Sequence, residues 1–316
     1  MELWYDLFGR RFVLRSQSRA VMAEIAGMES AWNRLAVKAG GAADVEVDVI
    51  PHPGQGPLRR VQNFSNDRFF VHASRHRLIT GHCFRRPWQV HIQSFLEDPF
   101  KIAHAMVAPT MLDLIERCGL STLHAAAVAD RGRGVLLAGD TGSGKSTTAF
   151  ALLSQGFDFL TDNDAYIDAW RTGVRVRSRG GPIGLREGTS DRVAGLPAFG
   201  RSPLSGKGRH RKRRVDPDRL RPGSRIEAAP VRLLLFPGVR RGSSVAFRPL
   251  SATEALRRLL ASYPLGGSLR AVIKDDHAQR GRFERLSRLV ATAPAYTVGL
   301  GSDVRDLGRK VRDLLG

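Results

Sequence analysis

The residues best equipped for chemistry lie between Gly134 and Thr148, in the run Gly-Val-Leu-Leu-Ala-Gly-Asp-Thr-Gly-Ser-Gly-Lys-Ser-Thr-Thr. Gly139, Asp140, Thr141, Gly142, Ser143, Gly144, Lys145 and Ser146 fit the pattern G-x-x-x-x-G-K-[ST] (Walker A), with Thr147 following. In such a loop the backbone N–H groups wrap phosphate oxygens, the lysine reaches the β- and γ-phosphates, and the hydroxyl after it binds Mg²⁺. The pattern therefore assigns residues 139–147 to nucleotide phosphates, with Lys145 polarising them and Ser146 on the metal. Side chains at Gly139, Gly142 or Gly144 would keep the backbone from approaching a phosphate.

Such a loop works only when a strand delivers it and a helix receives it. Val135, Leu136 and Leu137 supply a short apolar strand, and Ser146, Thr147 and Thr148 open a helix that ends near Gly156. Upstream, Thr-Leu-His-Ala-Ala-Ala-Val-Ala from Thr122 leads through Asp130-Arg-Gly-Arg-Gly into the loop strand, which reads as a hairpin. The loop strand then has an antiparallel neighbour, unlike the parallel surroundings of common P-loop NTPases, and this predicts a different nucleotide-binding fold. Downstream, Phe157-Asp-Phe-Leu-Thr-Asp-Asn-Asp164 reads as a strand finishing in Asp162, Asn163 and Asp164. This strand is placed one βαβ step after the phosphate loop, so its acidic end lies beside the loop, where it could hold Mg²⁺ or take a proton from an attacking hydroxyl.

With Leu123-His124-Ala125, Gly134 to Thr148, and Gly156 to Asn163, the chain resembles the HPr kinase/phosphorylase-related family. The likeness extends more weakly to Pro182-Ile-Gly-Leu-Arg-Glu-Gly188, to the strand Val231 to Phe236 and to Pro249 to Ala255, and so covers roughly residues 116–262. It implies an α/β fold with a mixed-sheet kinase core of the phosphoenolpyruvate carboxykinase type, and ATP- and Mg²⁺-dependent transfer of a phosphoryl group to a Ser or Thr hydroxyl of a protein or peptide. The family's catalytic aspartate falls on Asp162, its neighbouring metal-site aspartate on Asn163, and its histidine on His124. The implied metal ligands are Ser146, Asp162 and Asn163; Asn163 is neutral where the family carries a carboxylate, so either Asp164 compensates or the metal is held mainly by Ser146 and ATP. The glycine-containing signature that follows in the bifunctional enzymes has no clear counterpart, so the resemblance implies transfer without implying its reversal. The relatives tend to be homo-oligomers.

Arg186, in a turn-rich stretch with Glu187 beside it, is a candidate for neutralising charge on a transferring phosphoryl group, and Arg240 and Arg241 are further phosphate candidates. Ser205 to Arg214 is strongly basic and reads as an unanchored loop able to clamp ATP or an acidic substrate. The remaining segments read as structural. They comprise an amphipathic helix over Ser16–Gly40, strands at Val45–Ile50, Arg68–His72, Arg77–Thr80 and Trp88–Ile92, and a helix over Phe100–Cys118 bent at Pro109. Beyond Val174–Val176 come a capped helix from Ser251, an arginine-rich helix over Asp276–Ala291, a strand at Tyr296–Leu300 and a last helix capped by Ser302.

These segments predict two domains, a small α+β unit over residues 1–115 and an ATP-binding domain over 116–316. His72 and His76 have H-x₃-H spacing, but not in a helical pattern that would bring them onto one face, and no C-x₂-C pair accompanies them, so with His82, His91 and Cys83 they read as half-buried or surface side chains rather than a metal site; Cys83 and Cys118 read as ordinary thiols. No apolar run approaches a membrane span and no signal-peptide pattern opens the chain, so the expected location is the cytoplasm. A net charge of +20 over 316 residues predicts anionic partners without choosing among them, and nucleic acid ranks last. Two rival readings stay open beside the protein kinase. One is a regulatory switch that binds ATP without transfer, favoured by Asn163; the other is a small-metabolite kinase.

Overall fold

A computed structural model describes residues 1–28, 36–52, 54, 56, 62–178, 180–186, 189, 193–198, 204–205, 212–240, 242, 244–262 and 276–316. The chain is mixed α/β and divides into two units, Met1–Gly119 with Leu265–Arg282, and Leu120–Pro264 with Phe283–Gly316.

The first unit is built on eight strands: β1 (Glu2–Asp6), β2 (Arg11–Arg15), β3 (Ala36–Val37), β4 (Val45–Pro51), β5 (Gln62–Ser65), β6 (Phe69–Ala73), β7 (Arg77–His82) and β8 (Trp88–Ser94). Their order is β3-β1-β2-β4-β8-β7-β6-β5, with β2, β4 and β8 parallel and the other pairings antiparallel. The predicted Ser16–Gly40 helix is much shorter, α1 (Arg19–Gly27). Ser18 caps its start by accepting from the Val21 N–H, and Ala36–Val37 is a strand instead. The predicted helix at Phe100–Cys118 is α2 (Pro99–Ile102), a π-helical segment (Ala103–Val107) and α3 (Ala108–Arg117). Pro109 explains the break, because it offers no N–H to the Ala105 carbonyl, which accepts from the Arg77 guanidinium at 2.8 Å instead.

The second unit begins with the hairpin of β9 (Ser121–Asp130) and β10 (Arg133–Ala138), in register Arg133↔Asp130 to Ala138↔Ala125. Its two turn residues, Arg131 and Gly132, both have positive φ (50° and 75°), the geometry that matches strand twist in two-residue hairpins. Helix α4 (Lys145–Ser154) follows the glycine-rich loop, and β11 (Asp158–Thr161), β12 (Asp164–Trp170), β13 (Gly173–Arg177), β14 (Ile183–Arg186), β15 (Leu204–Ser205) and β16 (Lys212–Val215) come next. The chain then forms α5 (Pro217–Leu220), β17 (Ala228–Val239), β18 (Ala246–Leu250), α6 (Ala252–Ala261), α7 (Asp276–Thr292), β19 (Ala295–Leu300) and α8 (Leu307–Leu315).

The main sheet runs β10-β9-β12-β13-β17-β19-β18, and a further parallel pairing of β10 with β17 closes the first five strands on themselves. Along β9 small residues alternate between two cores. Ala126 and Val128 pack with Phe150, Leu152 and Leu153 of α4, while Leu123, Ala125, Ala127 and Ala129 pack with Ile167, Val176, Leu234 and Leu259. Alanines let a strand sandwiched by close layers stay buried on both faces.

Five expectations change here. Asp162, Asn163 and Asp164 do not end one strand: Asp162 and Asn163 form the turn from β11 into β12, which Asp164 opens, held by the Thr161 hydroxyl, which donates to the Asp164 carbonyl at 3.1 Å. The strand after α4 is separated from β10 by β9, to which β11 is antiparallel. Arg186 ends a strand rather than lying in a turn. Lys212–Val215 of the basic stretch is also a strand, anchored by buried Val215; residues 206–211 of that stretch fall outside the described set. Ser302 does not cap the last helix, because α8 starts at Leu307 behind Asp306.

Candidate active site

Strand β10 ends at Ala138 and the loop turns at once through Gly139. Gly142 (φ 88°) and Gly144 (φ 105°) take the left-handed conformation that other residues resist. A Cβ on Gly144 would also fall 2.5 Å from Leu300 Cδ1. Gly144 caps α4, and its carbonyl accepts from both the N–H and the hydroxyl of Thr148, at 2.8 and 2.9 Å. This fixes the helix start, where backbone N–H groups favour an anion.

Lys145, the first residue of α4, is buried, and its ammonium donates to the carbonyls of Gly139 (2.6 Å) and Asp140 (3.0 Å). Burial, followed by the nearby positive charge of Lys212, draws its pKa down to about 8, against the opposing pull of Asp162 and Asp140. The ammonium is thus held at the loop and short of negative partners.

Asp162 is buried at the β11–β12 turn. Its Oδ2 accepts from the Gly184 N–H at 2.8 Å, the Ser146 hydroxyl hydrogen-bonds the carboxylate, and Lys212 and Lys145 add positive charge nearby. Burial outweighs all of these and pushes its pKa up to about 6. Oδ1 itself has no partner within hydrogen-bond distance, so a buried acceptor is left over. The Ser143 hydroxyl is likewise buried without a partner. His124 stands on β9 opposite Asp164 of β12, with the Asn163 backbone accepting from its ring. Burial, then Lys145 and Lys212, hold its pKa near 4, so it is neutral at pH 7.

The third wall is a ribbon of β14 and β16, in register Ile183↔Val215 to Arg186↔Lys212. Ile183, Leu185 and Val215 enter the core, which places Gly184, Arg186 and Lys212 on the other face. Arg186 reaches the loop: a Cβ on Gly142 would lie 3.3 Å from its guanidinium nitrogen.

Together these elements enclose a cleft of about 180 Å³ lined by His124, Thr141, Gly142, Gly144, Lys145, Ser146, Thr147, Asp162, Asn163 and Arg186. Gly139, Asp140 and Ser143 shape the loop behind it without lining it. Asp164 and Arg240 do not line it; the Arg240 stem packs over Gly299, where a Cβ would meet it at 2.3 Å. Glu187 and Arg241 fall outside the described residues. Gly184, Thr189, Lys212 and Val239 also line the cleft and escaped sequence reasoning as individuals. The alternation Ile-Gly-Leu-Arg around Gly184 was the available signal for a strand.

No family model matches the chain, and no curated protein matches it. Among solved structures it is similar to the HPr(Ser) kinase/phosphatase from Coxiella burnetii, at 12% identity and a TM-score of 0.30, over 62% of this chain and 93% of that one. The cleft's own residues carry the functional reading. No helix among the described residues is long and apolar enough to cross a membrane.

Proposed function

We propose that this chain is a phosphotransferase that uses ATP and Mg²⁺ to phosphorylate a Ser or Thr hydroxyl on a protein or peptide. The observation that carries this reading is the convergence, in one cleft, of a glycine-turned loop, Lys145, Ser146 and a buried carboxylate with an unpartnered oxygen. These residues fit the nucleotide and the metal. The loop offers backbone N–H groups at a helix start, and the leftover Asp162 Oδ1 beside a hydroxyl is the donor set a hard cation takes.

Bound ATP with Mg²⁺ would supply a phosphoryl group whose negative charge is partly neutralised. The residues do the rest. The amides of Gly142 to Ser146 and the Lys145 ammonium hold phosphates, and Ser146 with Asp162 and Asn163 would ligate the metal. Asp162, its pKa raised to about 6 by burial before any cation binds, is ionised at neutral pH and is the carboxylate placed to accept a proton from an acceptor hydroxyl. Arg186 at the cleft mouth adds positive charge against the transferring group, and neutral His124 offers a second hydrogen-bonding site. Positioning and charge stabilisation supply most of the rate in such reactions.

The test is incubation of the purified chain with γ-labelled ATP, Mg²⁺ and a lysate of its source, beside Lys145→Ala and Asp162→Asn. A labelled protein or peptide that needs both residues is expected. ATP binding without any transfer would refute the kinase and favour a nucleotide-dependent switch, the reading that neutral Asn163 supports.

A further inference from the structure

The ribbon that walls the cleft contains an arrangement that a stable sheet avoids. Arg186 and Lys212 are direct cross-strand partners on the same face, and like charges facing each other across an antiparallel pair are destabilising. Among the described residues no carboxylate forms an ion pair with either of them; the only acid acting on Lys212 from the cleft is Asp162, whose Oδ2 is already engaged by Gly184. Gly184 makes room for the lysine. A Cβ there would lie 3.0 Å from Lys212 Cδ and 3.7 Å from its Nζ, so the Lys212 stem crosses the space a side chain at 184 would occupy, toward Asp162. Lys212 therefore stands with Lys145 and Arg186 around one small cleft in which Asp162 is the single carboxylate among the described lining residues.

We infer that Lys212 is a phosphate-binding residue of this site, and that Lys212 and Arg186 together form an anion clamp mounted on the β14–β16 ribbon. The inference rests on the proposed phosphotransferase reading and deepens it by assigning a second lysine to the phosphates. The repulsion between the paired cations is relieved when an anion sits between them, so the ribbon is electrostatically poised for one. A charge-assisted contact of this kind contributes enough to change affinity about ten- to a hundredfold.

The experiment is isothermal titration of the full chain with Mg·ATP and, separately, with inorganic pyrophosphate at low and moderate salt. It compares the unmodified chain with Lys212→Met, Lys212→Arg, Lys145→Ala and Arg248→Ala, the last an exposed cation outside the cleft that controls for net charge. Lys212→Met keeps an apolar stem over Gly184, and a melting curve for each variant verifies folding; Lys212→Gln serves if the methionine variant fails to fold. The expected result is at least tenfold weaker pyrophosphate binding in Lys212→Met, recovery to within about threefold in Lys212→Arg, and no change in Arg248→Ala. Unchanged affinity in folded Lys212→Met alongside lost binding in Lys145→Ala would overturn the clamp and leave the phosphotransferase reading standing. An equal loss in Arg248→Ala would overturn it as a net-charge effect. Failure of the unmodified chain to bind either probe would overturn the underlying reading, and the clamp with it.

Discussion

Asp162→Asn should make the protein more stable at neutral pH while abolishing transfer, and the size of the gain should depend on pH. The Asp162 pKa is raised from 3.8 to about 6, chiefly by burial. A carboxyl whose folded pKa is raised favours folding most when protonated. Its contribution is fully present below the unfolded value of 3.8 and is lost as pH rises through 6. The shift corresponds to about 3 kcal/mol of penalty on the folded state at pH 7.5, falling to about 1 kcal/mol at pH 4.5, where the folded carboxyl is mostly protonated. Asparagine carries no such penalty and its side-chain oxygen can still accept from the Gly184 N–H, although its amide NH₂ replaces an unpartnered Oδ1 and costs about 1–3 kcal/mol if it finds no acceptor. That cost is independent of pH. The difference between variant and parent should therefore shift by about 2 kcal/mol between pH 7.5 and 4.5, or roughly 4–8 °C in melting temperature for a unit of this size. Calorimetric melts of both proteins at the two pH values measure it. An offset that stays the same at both pH values would show that Asp162 titrates as an ordinary carboxylate and would remove the reason to treat it as a tuned base.

Other perturbations test the remaining parts of the cleft. Binding of a polyphosphate should raise the Lys145 pKa above about 8, so complex formation near pH 8 should take up protons; calorimetry in two buffers of different ionisation enthalpy detects this, and zero uptake would contradict it. Gly144→Ala forces a Cβ onto Leu300 at a residue with φ 105° and should cost about 1–3 kcal/mol in denaturant unfolding. Gly184→Ala presses only on the flexible Lys212 stem, so the fold should survive while pyrophosphate affinity falls in titration. Asn163→Asp adds a carboxylate at the cleft and should lower the Mg²⁺ concentration needed for half-maximal binding of ATP, read by titrating metal at fixed nucleotide.

The loop, its helix and the upstream hairpin were legible because their signals are local. Glycines at fixed spacing, a lysine followed by hydroxyl residues, and Arg131-Gly132 between two apolar runs each dictate a conformation within a few residues. The Asp162 turn was found in the right place but given the wrong shape, since Thr161 and Asp164 close it through a bond that ordinary strand patterning does not signal. The hairpin of β1 and β2 and the ribbon of β14 and β16 were missed for a different reason. Arg11–Arg15 begins and ends in arginine, and Lys212–Val215 carries three basic residues ahead of one valine, so neither has the apolar alternation that marks a half-buried strand. What makes Lys212–Val215 a strand is pairing with Ile183–Arg186 some thirty residues earlier on one side and with Leu204–Ser205 on the other, and the first partnership sets Lys212 at the cleft. The basic composition of the stretch announced anion binding; only the register says which cation faces the site.

Burial works against the charged forms of the three titratable groups at the heart of the cleft. It lowers the pKa of Lys145 and of His124 and raises that of Asp162, and the groups within reach do not fully offset it. These strains have different cures. A polyanion would relieve Lys145 together with the Arg186–Lys212 pair, but it would add to the difficulty of ionising Asp162. A divalent cation at Asp162 Oδ1 would relieve the carboxylate and oppose the lysines. Neither alone satisfies the site, whereas a metal bound to a polyphosphate places each charge beside the group that lacks it. The cleft should accordingly bind Mg²⁺ and nucleotide with positive cooperativity, each raising affinity for the other by the same factor. Titrating ATP with and without Mg²⁺, and Mg²⁺ with and without ATP, checks that equality after correction for the metal–nucleotide complex free in solution. Independent binding of the two would mean that the charges around Asp162 are arranged for something other than a metal–polyphosphate complex.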